Sequence, residues 1–275
     1  MSATSKFLAS AIVLFAVSQA RMPAQEAPAS KGPISKLYLS ETKGSGRIEN
    51  NGQVYEPRQG AAFSARGTVM VTDKDSHQAY VMSSGTGLYL DANTQVQVNQ
   101  FDQDRFVATP NTDQEPSVSH TLITIDHGTV ATCTGQMMSG TTLVYSTPLA
   151  NVNVRGRRVV INVTANATTI SALEGNVTIR TGTSQGSSVT LQPGEKVVIT
   201  PVPGGDPQTV VSPLDHDATG SLETLLSVAC QARKTVAFDV ANEGAGAGEV
   251  VAHPTVAANP PTGLTVSPDR LNSGQ

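Results

Sequence analysis

Three consecutive segments, VNVRGRRVVINV (152–163), ISALEGNVTI (170–179) and VTLQPGEKVVI (189–199), carry the reading of the fold. In each, apolar and polar residues alternate around one glycine, as Val152 and Val154 do about Asn153. A period of two sends one set of side chains to a core and the other to solvent, as in a half-buried β-strand. The glycines, Gly156, Gly175 and Gly194, recur every 19 residues. Upstream, ARGTVMV (65–71) and TGLYLDANTQVQV (86–98) set Gly67 and Gly87 20 apart, and LITIDHGTVATC (122–133) repeats the form around Gly128. Between Gly128 and Gly156 the interval is 28, which admits an extra loop over 135–140. Glycine reaches positive φ at little cost, so each unit reads as strand, tight turn or bulge, strand. One such hairpin is marginal in water, and stacking several buries their apolar faces. The expectation is an all-β domain over 36–201, built of stacked short strands as a β-solenoid or β-roll, with a Greek-key sandwich as the alternative.

Composition narrows the class. The 275 residues include 24 Gly and no Trp, with 15% charged and 4% aromatic side chains. Helix-forming runs are scarce, which argues against a helical bundle or a doubly wound α/β enzyme. A formal net charge of −4 lacks the basic face that nucleic acid requires, so no nucleic-acid partner is expected. At the N-terminus Lys6 precedes the apolar run Phe7 to Val17, and Ala20 and Ala24 offer small residues at candidate cleavage points. This reads as a signal peptide over 1–24, because the run is well short of the roughly 20 residues that span a bilayer. The expected location is therefore periplasmic or extracellular, with no membrane span in the mature chain and residues 25–35 as a linker.

Past the β-domain, TPVPGGDPQ (200–208) is turn-rich, and 202–218 reads as a second linker. Residues 219–233 place Leu222, Leu225, Leu226 and Ala229 at helical spacing, with Thr219 or Ser221 as the cap. One amphipathic helix packed on the β-domain is expected there. From 242 to 275 Gly, Ala and Pro dominate, which reads as a low-complexity, disordered tail. Cys133 and Cys230 are the two cysteines, and in an oxidising compartment they form either one bridge or two buried free thiols.

In order along the chain, SSGTGLYLDANTQVQV (83–98), TIDHGTVAT (124–132), STPLANVNVRGRRVVINV (146–163), TTISALEGNVTI (168–179) and VTLQPGEKVVI (189–199) resemble the extracytoplasmic domain of the FecR family. The resemblance runs from about Gly46 to Thr200. It implies a β-solenoid-like fold and a binding or sensing role, with a part in transmembrane signalling. Family members that regulate iron uptake carry a cytoplasmic anti-sigma segment and a membrane helix ahead of this domain. Here a short signal stands before it, so the expectation is a freestanding exported FecR-like domain. The family's Arg-Gly-Thr is replaced by Arg155-Gly156-Arg157.

Residues that might carry chemistry read as turns and surface. Gly182-Thr183-Ser184-Gln185-Gly186 fits the nucleophile-elbow pattern, but it sits in a polar turn with no helix after it. Asp73 and Asp75 beside His77, Asp102 with Asp104, and Asp215 and Asp217 around His216 place oxygen and imidazole donors at alternating positions. None completes a calcium loop, and solvated turn carboxylates are the simpler reading. His120, His127 and His253 stand apart from other ligand types. Neither a metal nor a cofactor is expected. Arg155, Arg157 and Arg158 form the basic cluster, with Arg155 and Arg157 on one strand face as a tentative anion contact. An edge strand protected by charge is the competing account. The expected function is a non-enzymatic binding or sensing protein of the cell envelope, whose partner is an envelope protein or polymer. A structural surface scaffold is the alternative, and a hydrolase assembled from distant residues the third.

Overall fold

The structure, a computed structural model, describes residues 35–106, 113–182, 188–240 and 249–255. Its strands are β1 (Lys36–Lys43), β2 (Gly46–Asn50), β3 (Gln53–Tyr55), β4 (Ala62–Ser64), β5 (Val69–Thr72), β6 (His77–Met82), β7 (Gly87–Leu90), β8 (Thr94–Gln103) and β9 (Ser119–Cys133). They continue with β10 (Thr142–Ser146), β11 (Ala150–Val163), β12 (Thr168–Thr181), β13 (Ser188–Leu191), β14 (Glu195–Thr200) and β15 (Gln208–Pro213). Helix α1 (His216–Ala232) and a hairpin of β16 (Val236–Val240) and β17 (Val250–Pro254) follow.

Strand pairing joins β1 to β15 in one open sheet that doubles into two layers. The first layer runs β4, β1, β6, β7, the second half of β9, the second half of β11, the first half of β12, β14 and β15. The second runs β3, β2, β5, β8, the first half of β9, β10, the first half of β11, the second half of β12 and β13. Three long strands, β9, β11 and β12, therefore belong to both layers. Each crosses between them at a glycine: Gly128, Gly156 and Gly175. Gly156 and Gly175 face each other in register, and a Cβ on Gly175 would lie 2.4 Å from the Gly156 Cα. Gly175 has φ 81° and Gly128 φ 97°, a backbone region that other residues enter only at a cost.

The crossing explains the alternation around Gly156. Before it Val152 and Val154 are buried, and after it Val159, Ile161 and Val163 are, because the register slips between Gly156 and Val159. An extra residue in one strand exchanges which parity faces the core. The repeating glycines on β9, β11 and β12 thus mark bends within long strands, not turns between short ones. Gly194 does sit in a turn, with φ 85°, and there the chain passes from β13 in one layer to β14 in the other. Successive strands do not stack as solenoid coils: the strand pairings are antiparallel except β9 with β10. The two-layer arrangement is closer to the sandwich alternative.

Between the layers lies the larger core, with Tyr80, Leu88, Ile161, Ile170 and Val197 from one side and Phe101, Ile123, Tyr145, Val154 and Ile179 from the other. The Thr132 and Tyr145 hydroxyls meet across it at 2.6 Å. Burial pushes the Tyr80 and Tyr145 phenols above their usual range, so both stay protonated where they pack.

A second core covers the outside of the first layer. Leu226, Ala229 and Ala232 of α1, with Val236, Phe238 and Val250 of the hairpin, pack on Tyr38, Val81, Tyr89, Ala131 and Val160. Burying one leucine side chain is worth about 1.5–3 kcal/mol, so this cover is held by more than its ends. Gly87 lets the helix come close, because a Cβ there would lie 2.0 Å from the Ala229 carbonyl oxygen. Cys133 on β9 and Cys230 on α1 are joined by a disulfide.

Several boundaries move from their sequence reading. The helix begins at His216, not 219, and Asp215 caps it by accepting from the Ala218 N–H at 2.7 Å. Thr219 and Ser221, the expected caps, instead bond back to the carbonyls of Asp215 and Asp217 from inside the helix. Within the expected linker 202–218, β15 pairs with β14. In the expected tail, β17 pairs with β16, and 242–248 and 256–275 lie outside the described residues. Ala20, Ala24 and the 25–34 segment also lie outside them. No helix among the described residues is long and apolar enough to cross a membrane.

Candidate functional site

The arginines of β11 do not form the anion contact that simple alternation implies. Arg157 sits at the register slip and pairs with Asp113 and with Glu174 at 3.5 Å. Arg158 lies on the helix side and is gripped through both guanidinium nitrogens by Glu223 of α1. Arg155 remains, exposed on the outer face of the second layer. The bulge that carries β11 between layers thus separates Arg155 from Arg157. Arg233, just past α1, donates to the Gly85 carbonyl at 2.6 Å and the Thr134 carbonyl at 3.1 Å, and pairs with Asp113. Burial lowers its pKa from the ordinary value while Asp113 opposes that shift. These ion pairs hold the cover against the sheet.

Among the described residues, no such cover lies on the second layer's outer face. Antiparallel and parallel registers align its outward residues in rows across the strands. One row is Gln100, Leu122, Val144, Asn153, Thr178 and Thr190. Another is Gln97, Thr124, Ser146, Asn151, Arg180 and Ser188. The face is broad and dominated by amides and hydroxyls. On its β8–β10 side these groups satisfy one another: Gln95 donates to Asp126 at 2.7 Å, Gln100 to Asp102 at 2.6 Å and Thr124 to Asn99 at 2.7 Å. His120 meets Thr142 at 3.0 Å in the same network. Asp102 and His120 thereby have structural partners. Asp104 stands beyond β8, where its N–H donates to the Val118 carbonyl.

The other titratable groups named from sequence are dispersed. Asp75 occupies a turn at φ 58°, and His77 reaches Glu41 on β1 at 3.0 Å. Asp73 closes the same turn region through Asn93 and Ser45. Beside His77, Tyr89 is pushed up to about 12 by burial first, then by Asp91 and Glu41. Asp215 is a helix cap held below the usual carboxylate range by the Ala218 N–H and then by Lys196. His216 and Asp217 open the helix, His127 lies opposite Gln95, and His253 stands on β17 opposite Ala237. No three His, Cys, Asp or Glu side chains converge on a metal position among the described residues. Ser184 lies outside those residues.

Two features escaped the sequence reading. Glu115 is buried and lines a small cleft of about 10 Å³ together with Ser84, Thr86, Thr121 and Leu143. Its carboxylate accepts from Ser119 and Thr141 hydroxyls, both at 2.6 Å, and from the Met138 N–H at 3.1 Å, so it is occupied as a clamp on the 134–141 connection. Arg180 is the second, exposed on the same face as Arg155. Nothing local marks it, because 25 residues separate the two and only the β11–β12 register brings them together.

No protein-family model matches the chain, and no curated protein matches it either. Among solved structures, two crystal structures of a protein described as a candidate anti-sigma factor from Parabacteroides distasonis ATCC 8503, at 1.65 and 2.50 Å resolution, are similar to it. Both align at 15% identity with a TM-score of 0.41, over 56% of this chain and 63% or 62% of that chain. The chain spans less than two thirds of the length of these neighbours.

Proposed function

We propose that this chain is an exported, non-enzymatic binding or sensing module of the cell envelope, of the FecR-like kind and linked to transmembrane signalling. In this reading it presents the outer face of the second layer to an envelope protein or polymer. The observation that supports it is the asymmetry of the two outer faces among the described residues: one is covered over β6, β7, β9 and β11 by α1 and the β16–β17 hairpin, and the other displays rows of mostly polar side chains that are unpartnered on its β11–β12 half. An exposed sheet face of this kind suits recognition of an extended surface better than chemistry, which needs a concave site. The test combines N-terminal sequencing of the chain from its producing cells with a photo-crosslinker placed at Thr124, Ser146 or Ser227. Processing to Arg21 or Gln25 is expected, with adducts from Thr124 and Ser146 and none from Ser227 on the helix. An unprocessed chain retained in the cytoplasm overturns the reading.

A scaffold role has its own observation. Edge strand β15 carries no charge, and Val210 and Val211 are 53% and 42% exposed. Uncharged apolar edges invite strand pairing between molecules. If the chain is a scaffold, light scattering shows concentration-dependent assembly that Val210→Lys abolishes. Truncation to test attachment through the tail belongs after Thr255, since a cut at 242 would remove β17 from its pairing with β16.

A further inference from the structure

The register of β11 with β12 sets Arg155 opposite Asn176 and Asn151 opposite Arg180. The two arginines are thus one strand apart and four residues apart along it. At about 3.3 Å per residue and about 4.8 Å between strands, their Cα atoms lie roughly 14 Å apart. Asn151, Asn153, Asn176 and Thr178 occupy the same face between and beside them. None of these six side chains has a hydrogen-bond or ion-pair partner among the described residues. That is unlike the β8–β10 side of the face, where the amides and carboxylates bond to one another. It is also unlike the neighbouring arginines, since Arg157, Arg158 and Arg233 each hold a carboxylate. A chain of net charge −4 therefore keeps two guanidinium groups without a carboxylate partner among the described residues, the nearby exposed Glu174 being paired with Arg157 instead.

A ligand for this surface brings anions at two well-separated points and groups that exchange hydrogen bonds in between. Guanidinium binds carboxylate, phosphate or sulfate through paired N–H donors. Asn carboxamides and the Thr hydroxyl each donate and accept, as sugar hydroxyls do. A protein partner would seek aromatic or apolar anchors, and the six outward residues include neither. A nucleic acid would bring denser phosphate and bases that need aromatic platforms. We infer that the β11–β12 half of this face binds an extended acidic polysaccharide, with Arg155 and Arg180 on two of its anionic groups and the Asn and Thr side chains on its hydroxyls. This rests on the binding-module reading above and narrows its partner to one chemical class.

The experiment is affinity electrophoresis of the processed chain, disulfide intact, through gels containing polygalacturonate, dextran sulfate or neutral dextran, with single-stranded DNA as a competitor. Retention on the acidic polymers, weakening with salt, and none on neutral dextran are expected. Arg155→Ala and Arg180→Ala each weaken binding roughly tenfold, the scale of a hydrogen bond to a charged group. The double variant loses about a hundredfold, since sites more than about 10 Å apart add. Arg155→Lys recovers part of the loss, and Arg66→Ala, exposed in the turn before β5, changes nothing. Absence of retention on either acidic polymer, unchanged retention in the double variant, or DNA competing as well as free polygalacturonate overturns the inference. Processing and crosslinking are read in other experiments, so failure here leaves the envelope-module reading standing, and failure there leaves this binding result intact.

Discussion

The two outer faces of the sheet are made from the same strands and behave as opposites. On the first layer Ala131, Cys133 and Val160 point outward and are buried under α1. On the second, outward positions of the same β9 and β11 hold Thr124, Asp126, Asn151, Asn153 and Arg155. A single bend in each strand separates the two regimes. Past its bend β9 is buried on both sides, as in Val130, Ala131, Thr132 and Cys133. Before it the alternation is apolar in and polar out. What differs is the cover and not the sheet, because a sheet face can be left bare only where its outward residues are soluble.

The largest effect expected from breaking this contrast comes from the disulfide that fastens the cover. Its closure spans 97 residues, and loop entropy alone assigns such a link about 4–5 kcal/mol. Guanidinium unfolding of the oxidised chain and of Cys133→Ser/Cys230→Ser should differ by that order, and equal midpoints would show that the cover holds without it. Next comes Gly87→Ala, which drives a methyl against the Ala229 carbonyl and lifts the helix. A loss of about 1–3 kcal/mol is expected, the range for overpacking a tight contact. A neutral result by thermal denaturation would mean that α1 slides freely on β7. The smallest effect belongs to the bare face: Asn153→Ala should move stability by less than about 0.5 kcal/mol, as a surface change does. A larger loss would make that face a structural one.

The class of the fold was legible in the chain, and so were the positions at which it changes direction. The glycines at 128, 156 and 175 read from sequence as tight turns or bulges, and the structure places them at bends within long strands, with a register slip beside Gly156. Locally a turn and a crossing look alike, since both need a residue without Cβ. Only pairing with distant strands decides between them, as when β14 takes one half of β12 and β13 the other. The same limit hid the site. Arg155 and Arg157 look like neighbours on one face until the slip at Gly156 turns the second toward Asp113. Arg180 becomes a neighbour only through the β12 register. Helix α1 is legible from its leucines, whereas its start is not, because Asp215 caps through one hydrogen bond of a kind that Thr and Ser hydroxyls also make.

Three strands shared by both layers have a consequence for how the molecule comes apart. A conventional sandwich can fray one sheet at a time, but here neither layer can melt without dragging half of β9, β11 and β12 out of the other. Partial opening is correspondingly costly, and amide exchange across the two layers should proceed through one concerted event, with the β16–β17 hairpin as the segment free to open first.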